Sequence, residues 1–171
     1  VDVGILPSGG ISYLTATSGA TMGAIVSASH NPAEHNGIKL LAARGTKLPD
    51  EVERELEYRL RSPDARSKVG PDVGTRFVDG DALERYVDHL ASISKYNLSS
   101  VEIALYCANG AAFNAAPLLF TSLNADVHVL ADAPDGTNIN DRCGATHPEM
   151  LAREARGRIG LSFDWDADRL I

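Results

Sequence analysis

Short apolar runs alternate with amphipathic segments in the second half of the chain, and this alternation restricts the possible folds more than any other feature. Strands are predicted over 101–107 and 126–130, with a helix over 113–123 between them. A strand, a helix and a strand in this order form a βαβ unit, which is expected to be a right-handed parallel crossover. A helix over 148–156 and a strand over 159–163 continue the pattern, so this half is predicted to be an α/β layer.

The first half has the same mixture of elements. Two short apolar runs, over 22–27 and 38–42, are predicted to be buried strands. A helix is predicted to begin at Pro49, because proline and acidic residues favour a first turn, and a second helix is predicted over 81–96. The apolar residues of the first of these helices are predicted to form one buried stripe, made of Val52, Leu56 and Leu60. We therefore predict an α/β fold of two layered units, with a boundary near residue 97.

The composition argues against several functions and locations. The net charge is −7 and no basic tract is present, which disfavours nucleic-acid and anionic-membrane binding. No apolar run approaches the roughly 18–20 residues of a membrane span. Cys107 and Cys143 form no disulfide framework or metal-binding pattern, so a reducing cytoplasm is the expected location. The chain opens without methionine and stops inside a predicted strand, so both ends are expected to be cut.

A segment rich in serine and histidine follows the predicted strand over 22–27. It reads Ser-Ala-Ser-His-Asn-Pro over 27–32, and Lys39 lies on the next strand. One interpretation is an ordinary loop, because all of these residue types are common in turns. The other is a serine at a strand end, with His30 beside it and Lys39 nearby, that carries a phosphoryl or acyl group. The Gly-x-Ser-x-Gly sequence of serine hydrolases is absent, which weakens the acyl version.

Three aspartates alternate in a polar segment after the predicted strand over 159–163. They are Asp164, Asp166 and Asp168, and Arg169 follows them. Alternate carboxylates in a turn can converge on one hard cation such as Mg²⁺, although a solvated acidic turn has the same composition. A calcium EF-hand loop is disfavoured because its sixth position, here Arg169, is normally glycine. A phosphatase with an aspartate nucleophile would also use Asp-x-Asp, but it would leave the serine segment unexplained.

Both polar segments resemble signatures of the alpha-D-phosphohexomutases. Ser-Ala-Ser-His-Asn-Pro over 27–32 and Asn-Gly-Ile-Lys over 36–39 resemble the serine loop of that family, and 164–169 resembles its metal loop, Asp-Gly-Asp-Gly/Ala-Asp-Arg. Further segments resemble the family, and most of them its phosphoglucosamine mutase branch: 45–49, 107–111, 134–140 and 143–148. Their order and spacing across 22–171 make a chance resemblance improbable.

The resemblance implies a catalytic role for four residues. Ser29 matches the family's phosphoserine, which gives a phosphoryl group to the sugar and takes one back. His30 matches its neighbour, Lys39 matches a general acid or base, and Arg169 closes the metal motif.

The resemblance also implies a Mg²⁺ site formed by Asp164, Asp166, Asp168 and the phosphate of Ser29. A phosphoserine carries close to −2 and three carboxylates add −3, so the cluster would be strongly repulsive without a divalent ion. The cation would also polarise the phosphoryl group for transfer.

The implied function is the interconversion of glucosamine 6-phosphate and glucosamine 1-phosphate through a bisphosphate, as a step toward amino-sugar nucleotides and cell-wall precursors. Residues 1–96 would be the C-terminal part of the family's first domain with a linking helix, and 97–171 most of the second. Both would be incomplete mixed-sheet α/β layers. The third and fourth domains, which read the sugar and hold its phosphate, would be missing, so the isolated chain is expected to be inactive.

Two alternatives remain, and two substitutions bear on them. The parent could be a phosphomannomutase or phosphoglucomutase, or the chain could be a non-catalytic relic that still binds Mg²⁺. Trp165 stands where the family usually has glycine, and Tyr106 where it has aspartate. If the position of Trp165 requires a positive φ, tryptophan costs about 1–2 kcal/mol there.

Overall fold

The computed structural model describes residues 1–27, 34–62, 68–139, 141, 143–145 and 147–171, and it contains two small sheets. The elements of the first half are α1 (Ser8–Thr17), β1 (Met22–Ser27), β2 (Gly37–Ala42), α2 (Asp50–Arg61), a 3-10 turn (Gly70–Asp72) and α3 (Ala82–Ile93). Those of the second half are β3 (Glu102–Tyr106), α4 (Ala112–Ser122), β4 (Asp126–Leu130), α5 (Glu149–Glu154) and β5 (Ile159–Ser162). The mixed α/β architecture confirms the predicted fold class.

The second sheet contains most of the core. Its strand order is β4-β3-β5, and β3 is parallel to both neighbours. Side chains alternate across a strand, so Ile103 and Leu105 face α4 while Ala104 and Tyr106 face α5 and Cys143. All four residues are at most 3% exposed. Beyond the exposed Glu102, the central strand is thus covered on both faces, as is usual for a parallel sheet.

The first sheet is an antiparallel pair. Met22 pairs with Ala42 at one end of β1 and β2, and Ser27 pairs with Gly37 at the other. The connection between the strands therefore leaves and re-enters the sheet at the Ser27–Gly37 end. The prediction that both strands are buried is only half correct, because Ile25 is buried while Val26 is 72% exposed.

Helix α1 has no clear sequence signal and was not predicted. It packs against β1, and Leu6 and Leu14 form a small core with Ala82 of α3. Gly10 lies close to Tyr86 of α3, since a Cβ there would be 3.1 Å from the ring and a larger residue would require the ring to shift by a few tenths of an ångström. A residue that lowers intrinsic helix propensity thus stands at a close helix–helix contact.

The predicted buried stripe on α2 is wrong. Val52 is 42% and Leu60 80% exposed, and α2 has no fully buried residue. Among the described residues, no helix or strand makes more than slight contact with α2. Periodicity identified the helix correctly, but none of the described helices and strands covers the stripe.

A smaller difference concerns a helix end. The predicted helix over 81–96 stops at Ile93, because Ser94 adopts an extended conformation. Pro117 lies inside α4. No helix among the described residues combines the length and the apolar sequence needed to cross a bilayer.

The same substitution at two leucines should distinguish the core from the uncovered helix. Leu105 is fully buried, so Leu105→Ala should lower the free energy of unfolding by about 2–5 kcal/mol. Leu60 is 80% exposed, so Leu60→Ala should change it by no more than about 0.5 kcal/mol. Urea unfolding followed by circular dichroism measures both, and equal effects would contradict this division of the fold.

Candidate active site

The acidic loop is a tight reversal of the chain after β5. Ser162 and Ile171 exchange backbone hydrogen bonds of 2.7 and 2.9 Å across its base. Nearer the tip, the backbone N–H of Ala167 donates to the carbonyl of Asp164 at 3.1 Å. Ala167 has a φ of 54°, whereas φ of Trp165 is not positive. The strain considered for Trp165 is therefore absent, and the left-handed position of the loop belongs to Ala167.

The three aspartates converge as predicted. Carboxylate oxygens of Asp164, Asp166 and Asp168 all lie within 4.8 Å of one another. Asp164 and Asp166 are buried, with 9% and 3% of their surface exposed, while Asp168 is exposed. This arrangement offers one ligand atom from each residue to a single cation.

Burial raises the pKa of the Asp164 carboxyl to about 6, since the charged form loses hydration there. The neighbouring carboxylates of Asp168 and Asp166 raise it further. A backbone hydrogen bond from the N–H of Arg169, 3.1 Å long, acts in the opposite direction by stabilising the anion. Burial and repulsion from its neighbours thus make the Asp164 carboxyl easier to protonate than an ordinary aspartate, and the hydrogen bond from Arg169 partly offsets this effect.

Asp166 receives its partners from the first half of the chain. Lys39 Nζ lies 2.7 Å from its Oδ2 and 4.0 Å from Oδ2 of Asp168. Ser8 Oγ donates to the same Oδ2 of Asp166 at 3.1 Å, and the backbone N–H of Ser8 donates to its carbonyl at 2.9 Å. Lys39, a candidate from the sequence, therefore contacts the aspartates, whereas Ser8 was not singled out by the sequence.

The other oxygen of Asp166 fits a metal ligand. Oδ1 is buried and has no hydrogen-bond partner among the described residues. A buried carboxylate oxygen without a partner is unfavourable, and three converging carboxylates are the donor set that hard divalent cations prefer. The residues present are therefore consistent with a Mg²⁺ site.

Arg169 lies beside the cluster and pairs within its own loop. Its Nε is 3.7 Å from Asp168 Oδ1 and 4.0 Å from Asp164 Oδ2. The side chain is 67% exposed, so it adds positive charge at the rim of the cluster.

The turn after β3 packs against the backbone of the acidic loop. Ala108 and Asn109 have φ of 56° and 48°, and the N–H of Ala111 donates to the carbonyl of Trp165 at 2.6 Å. A Cβ on Gly110 would lie 2.4 Å from that carbonyl oxygen, so only glycine fits there. Ala108, Asn109 and Gly110 thus form a turn whose contact with the acidic loop explains the glycine.

Trp165 is directed into the molecule. It is 5% exposed, and its Nε1–H donates to Ser27 Oγ at 3.0 Å. Ser27 is the last residue of β1, so the indole connects the acidic loop to the strand that precedes the serine segment. Both residues line a cleft of about 570 Å³ between the two halves.

Tyr106 does not belong to this site. It is fully buried against Cys143 and Leu151, and its hydroxyl donates to Met150 Sδ at 3.3 Å. The tyrosine is a core residue, which accounts for its presence without a catalytic role.

Ser29 and His30 lie outside the described residues. Their predicted place beside the aspartates is therefore not tested, although Ser27 before them and Lys39 after them both contact the acidic loop.

Residues 1–67 match a family model described as phosphoglucomutase/phosphomannomutase, alpha/beta/alpha domain I. Over its whole length, the chain is 48% identical to the phosphoglucosamine mutase of Moorella thermoacetica and 46% identical to that of Alkaliphilus oremlandii. The chain is therefore similar over its whole length to proteins of the alpha-D-phosphohexomutase type. It spans about 40% of the length of these curated relatives.

A solved structure supports the same assignment. A phosphoglucomutase/phosphomannomutase family protein from Burkholderia thailandensis superimposes with a TM-score of 0.76 at 27% identity, over 99% of this chain and 38% of the other.

Divalent-cation binding should weaken as the pH falls through about 6. Binding requires the Asp164 carboxylate, and the pKa of that group is about 6, so Mg²⁺ affinity at pH 5 should be about tenfold lower than at pH 7. Isothermal titration calorimetry measures this difference. Asp164→Asn should bind more weakly and with less pH dependence, and wild-type affinity equal at the two pH values would contradict the assignment.

The metal-free chain should show the opposite trend in stability. The pKa of Asp164 is about 6 in the folded chain, against an ordinary value of 3.8. Between these values the folded state holds a proton that the unfolded state has lost, so this carboxyl's contribution to stability declines as pH rises through that window.

Proposed function

We propose that the protein is a phosphoglucosamine mutase, which interconverts glucosamine 6-phosphate and glucosamine 1-phosphate through a phosphoserine and a bisphosphate intermediate. The reaction would belong to the synthesis of amino-sugar nucleotides and cell-wall precursors. The observation that carries the proposal is the contact of Lys39, which follows the serine segment, with Asp166 of the acidic loop.

The geometry of the first sheet supports the assignment of Ser29 as the phosphoryl carrier. The connection that contains Ser29 begins after Ser27 and returns at Gly37, and these two residues pair across the sheet. Ser27 Oγ contacts Trp165, and Lys39 Nζ contacts Asp166. Both strands that flank the connection thus contact the acidic loop, whose carboxylates we assign to the metal.

In the proposed reaction, Ser29 gives its phosphoryl group to the sugar and takes one back from the other position of the bisphosphate. His30 would lie beside the phosphoserine, and Lys39 would hold or release the proton of the reacting sugar hydroxyl. The side chain of Lys39 is 43% exposed beside Asp166, so it is open to a ligand while it contacts the acidic loop.

Asp164, Asp166 and Asp168 would bind Mg²⁺ together with the phosphate of Ser29, and Arg169 would contribute charge at the rim. When bound, the cation would neutralise and polarise the transferred phosphoryl group. The protein's own contribution is to hold the three carboxylates together and to exclude water from Asp164 and Asp166, which are buried.

The choice of glucosamine phosphate over other phosphosugars rests on the sequence relatives. Those at 48% and 46% identity are phosphoglucosamine mutases, which supports this sugar over mannose or glucose. We assign 1–96 to the first domain and 97–171 to the second. The sugar-reading and phosphate-holding groups would then come from the third and fourth domains.

We further propose a cytoplasmic location, with which the two reduced, buried cysteines agree.

The phosphoserine role predicts a covalent mark. The full-length mutase should contain a population heavier by one phosphate, and Ser29→Ala should remove both this species and turnover, because no other group would carry the phosphoryl. Intact-mass spectrometry and a coupled mutase assay measure these outcomes. Ser162→Ala, at the end of β5, is the comparison, and mutase activity retained by Ser29→Ala would refute the assignment.

The 171-residue chain alone should bind metal without catalysis. A mutase must hold one phosphosugar in two orientations, and orientation can supply about 7–11 kcal/mol of a barrier. The groups that we assign to this task lie in the other two domains. Calorimetry should therefore detect Mg²⁺ binding that falls with Asp166→Asn, whereas incubation with glucosamine 6-phosphate should give no turnover. Robust turnover would show that the sugar site is built from these residues.

A further inference from the structure

Trp165 lies between two of the three clustered aspartates and is anchored on both sides. Its indole N–H donates to Ser27 Oγ at 3.0 Å in a buried hydrogen bond. Its carbonyl accepts from the N–H of Ala111 at 2.6 Å, and its backbone packs directly on Gly110. Trp165, which links Asp164 to Asp166, is therefore held at two points. Its backbone contacts the turn after β3 in the second half, and its side chain contacts Ser27 in the first half.

We infer that Trp165 is a positioning residue for the metal site, and that its indole holds Asp164 and Asp166 in the arrangement that binds the cation. This inference rests on the proposed Mg²⁺ role of the carboxylates. Ligands that are already ordered lose less conformational freedom on binding, and groups that orient metal ligands affect affinity although they never touch the metal.

The burial of Trp165 distinguishes this role from that of a surface residue. Ser27 and Trp165 are 7% and 5% exposed, so loss of their hydrogen bond would not be replaced readily by water. A glycine at 165 could not make this bond. The hydrogen bond that joins the two halves at this point therefore requires the indole N–H of Trp165.

Two variants remove the same hydrogen bond from opposite sides. Trp165→Phe keeps an aromatic ring but loses the N–H, and Ser27→Ala loses the acceptor. Each should weaken Mg²⁺ binding about tenfold, as is typical for residues that orient metal ligands. The double variant should be no weaker than either single one, because all three lack the same bond. Ser27→Thr retains a hydroxyl and should bind within about twofold of wild type.

A matched control tests whether general destabilisation has the same effect. Ser12 Oγ donates to the carbonyl of Gly45 at 2.7 Å in the first half of the chain, and Ser12 makes no described contact with the acidic loop. Ser12→Ala should lower the midpoint of urea unfolding but leave Mg²⁺ affinity within about twofold of wild type. Calorimetric titration of each folded variant, with unfolding curves alongside, separates affinity from stability.

Each outcome decides the inference. Weaker, non-additive binding by Trp165→Phe and Ser27→Ala, with Ser12→Ala unchanged, supports it. Normal Mg²⁺ affinity in both of those variants, even with reduced stability, would overturn it and leave the proposed function intact. Absence of Mg²⁺ binding by the wild-type chain would overturn the proposed metal site, and the positioning role with it.

Discussion

Three carboxylates held within 4.8 Å of one another are the constraint on which the rest of the site depends. At an effective dielectric constant of about 20, each pair of unit charges at that distance repels by about 3 kcal/mol. The loop alone provides only Arg169 and backbone N–H groups against this repulsion. Lys39 and Ser8 come from the other half of the chain. The complete site therefore forms only where the two halves pack together, because this packing brings the charge of Lys39 and the hydroxyl of Ser8 to Asp166.

The sequence was most informative where local pattern and tertiary packing agree. The mostly apolar run over 101–107 predicts a strand, and in the structure α4 and α5 cover its two faces. The same reasoning failed at α2, because a repeated row of apolar residues identifies a helix face but does not show what covers it. Helix α1 was missed because Gly9 and Gly10 lower its propensity, and their closeness to Tyr86 becomes visible only in the folded chain.

The residues of the site that carry its chemistry could be identified from the sequence, but the residues that hold them in position could not. Alternating aspartates after a strand and a lysine after a serine segment are recognisable patterns, and the structure brings Lys39 to Asp166. Ser8 looks like an ordinary residue at the start of a helix. Gly110 looks like an ordinary turn glycine. Their contacts with Asp166 and Trp165 join positions far apart in sequence, so they become visible only when the chain is folded.

The location of strain in the acidic loop bears on whether the substitution at 165 disables it. A tryptophan at a left-handed position would indicate a damaged loop, but the positive φ belongs to Ala167, a residue type that the family's motif also allows there. Trp165 instead fills space between the halves and forms a buried hydrogen bond with Ser27. Tyr106 likewise packs as a core residue. Both departures from the family pattern are thus accommodated by the fold, so neither substitution is evidence of a disabled metal loop.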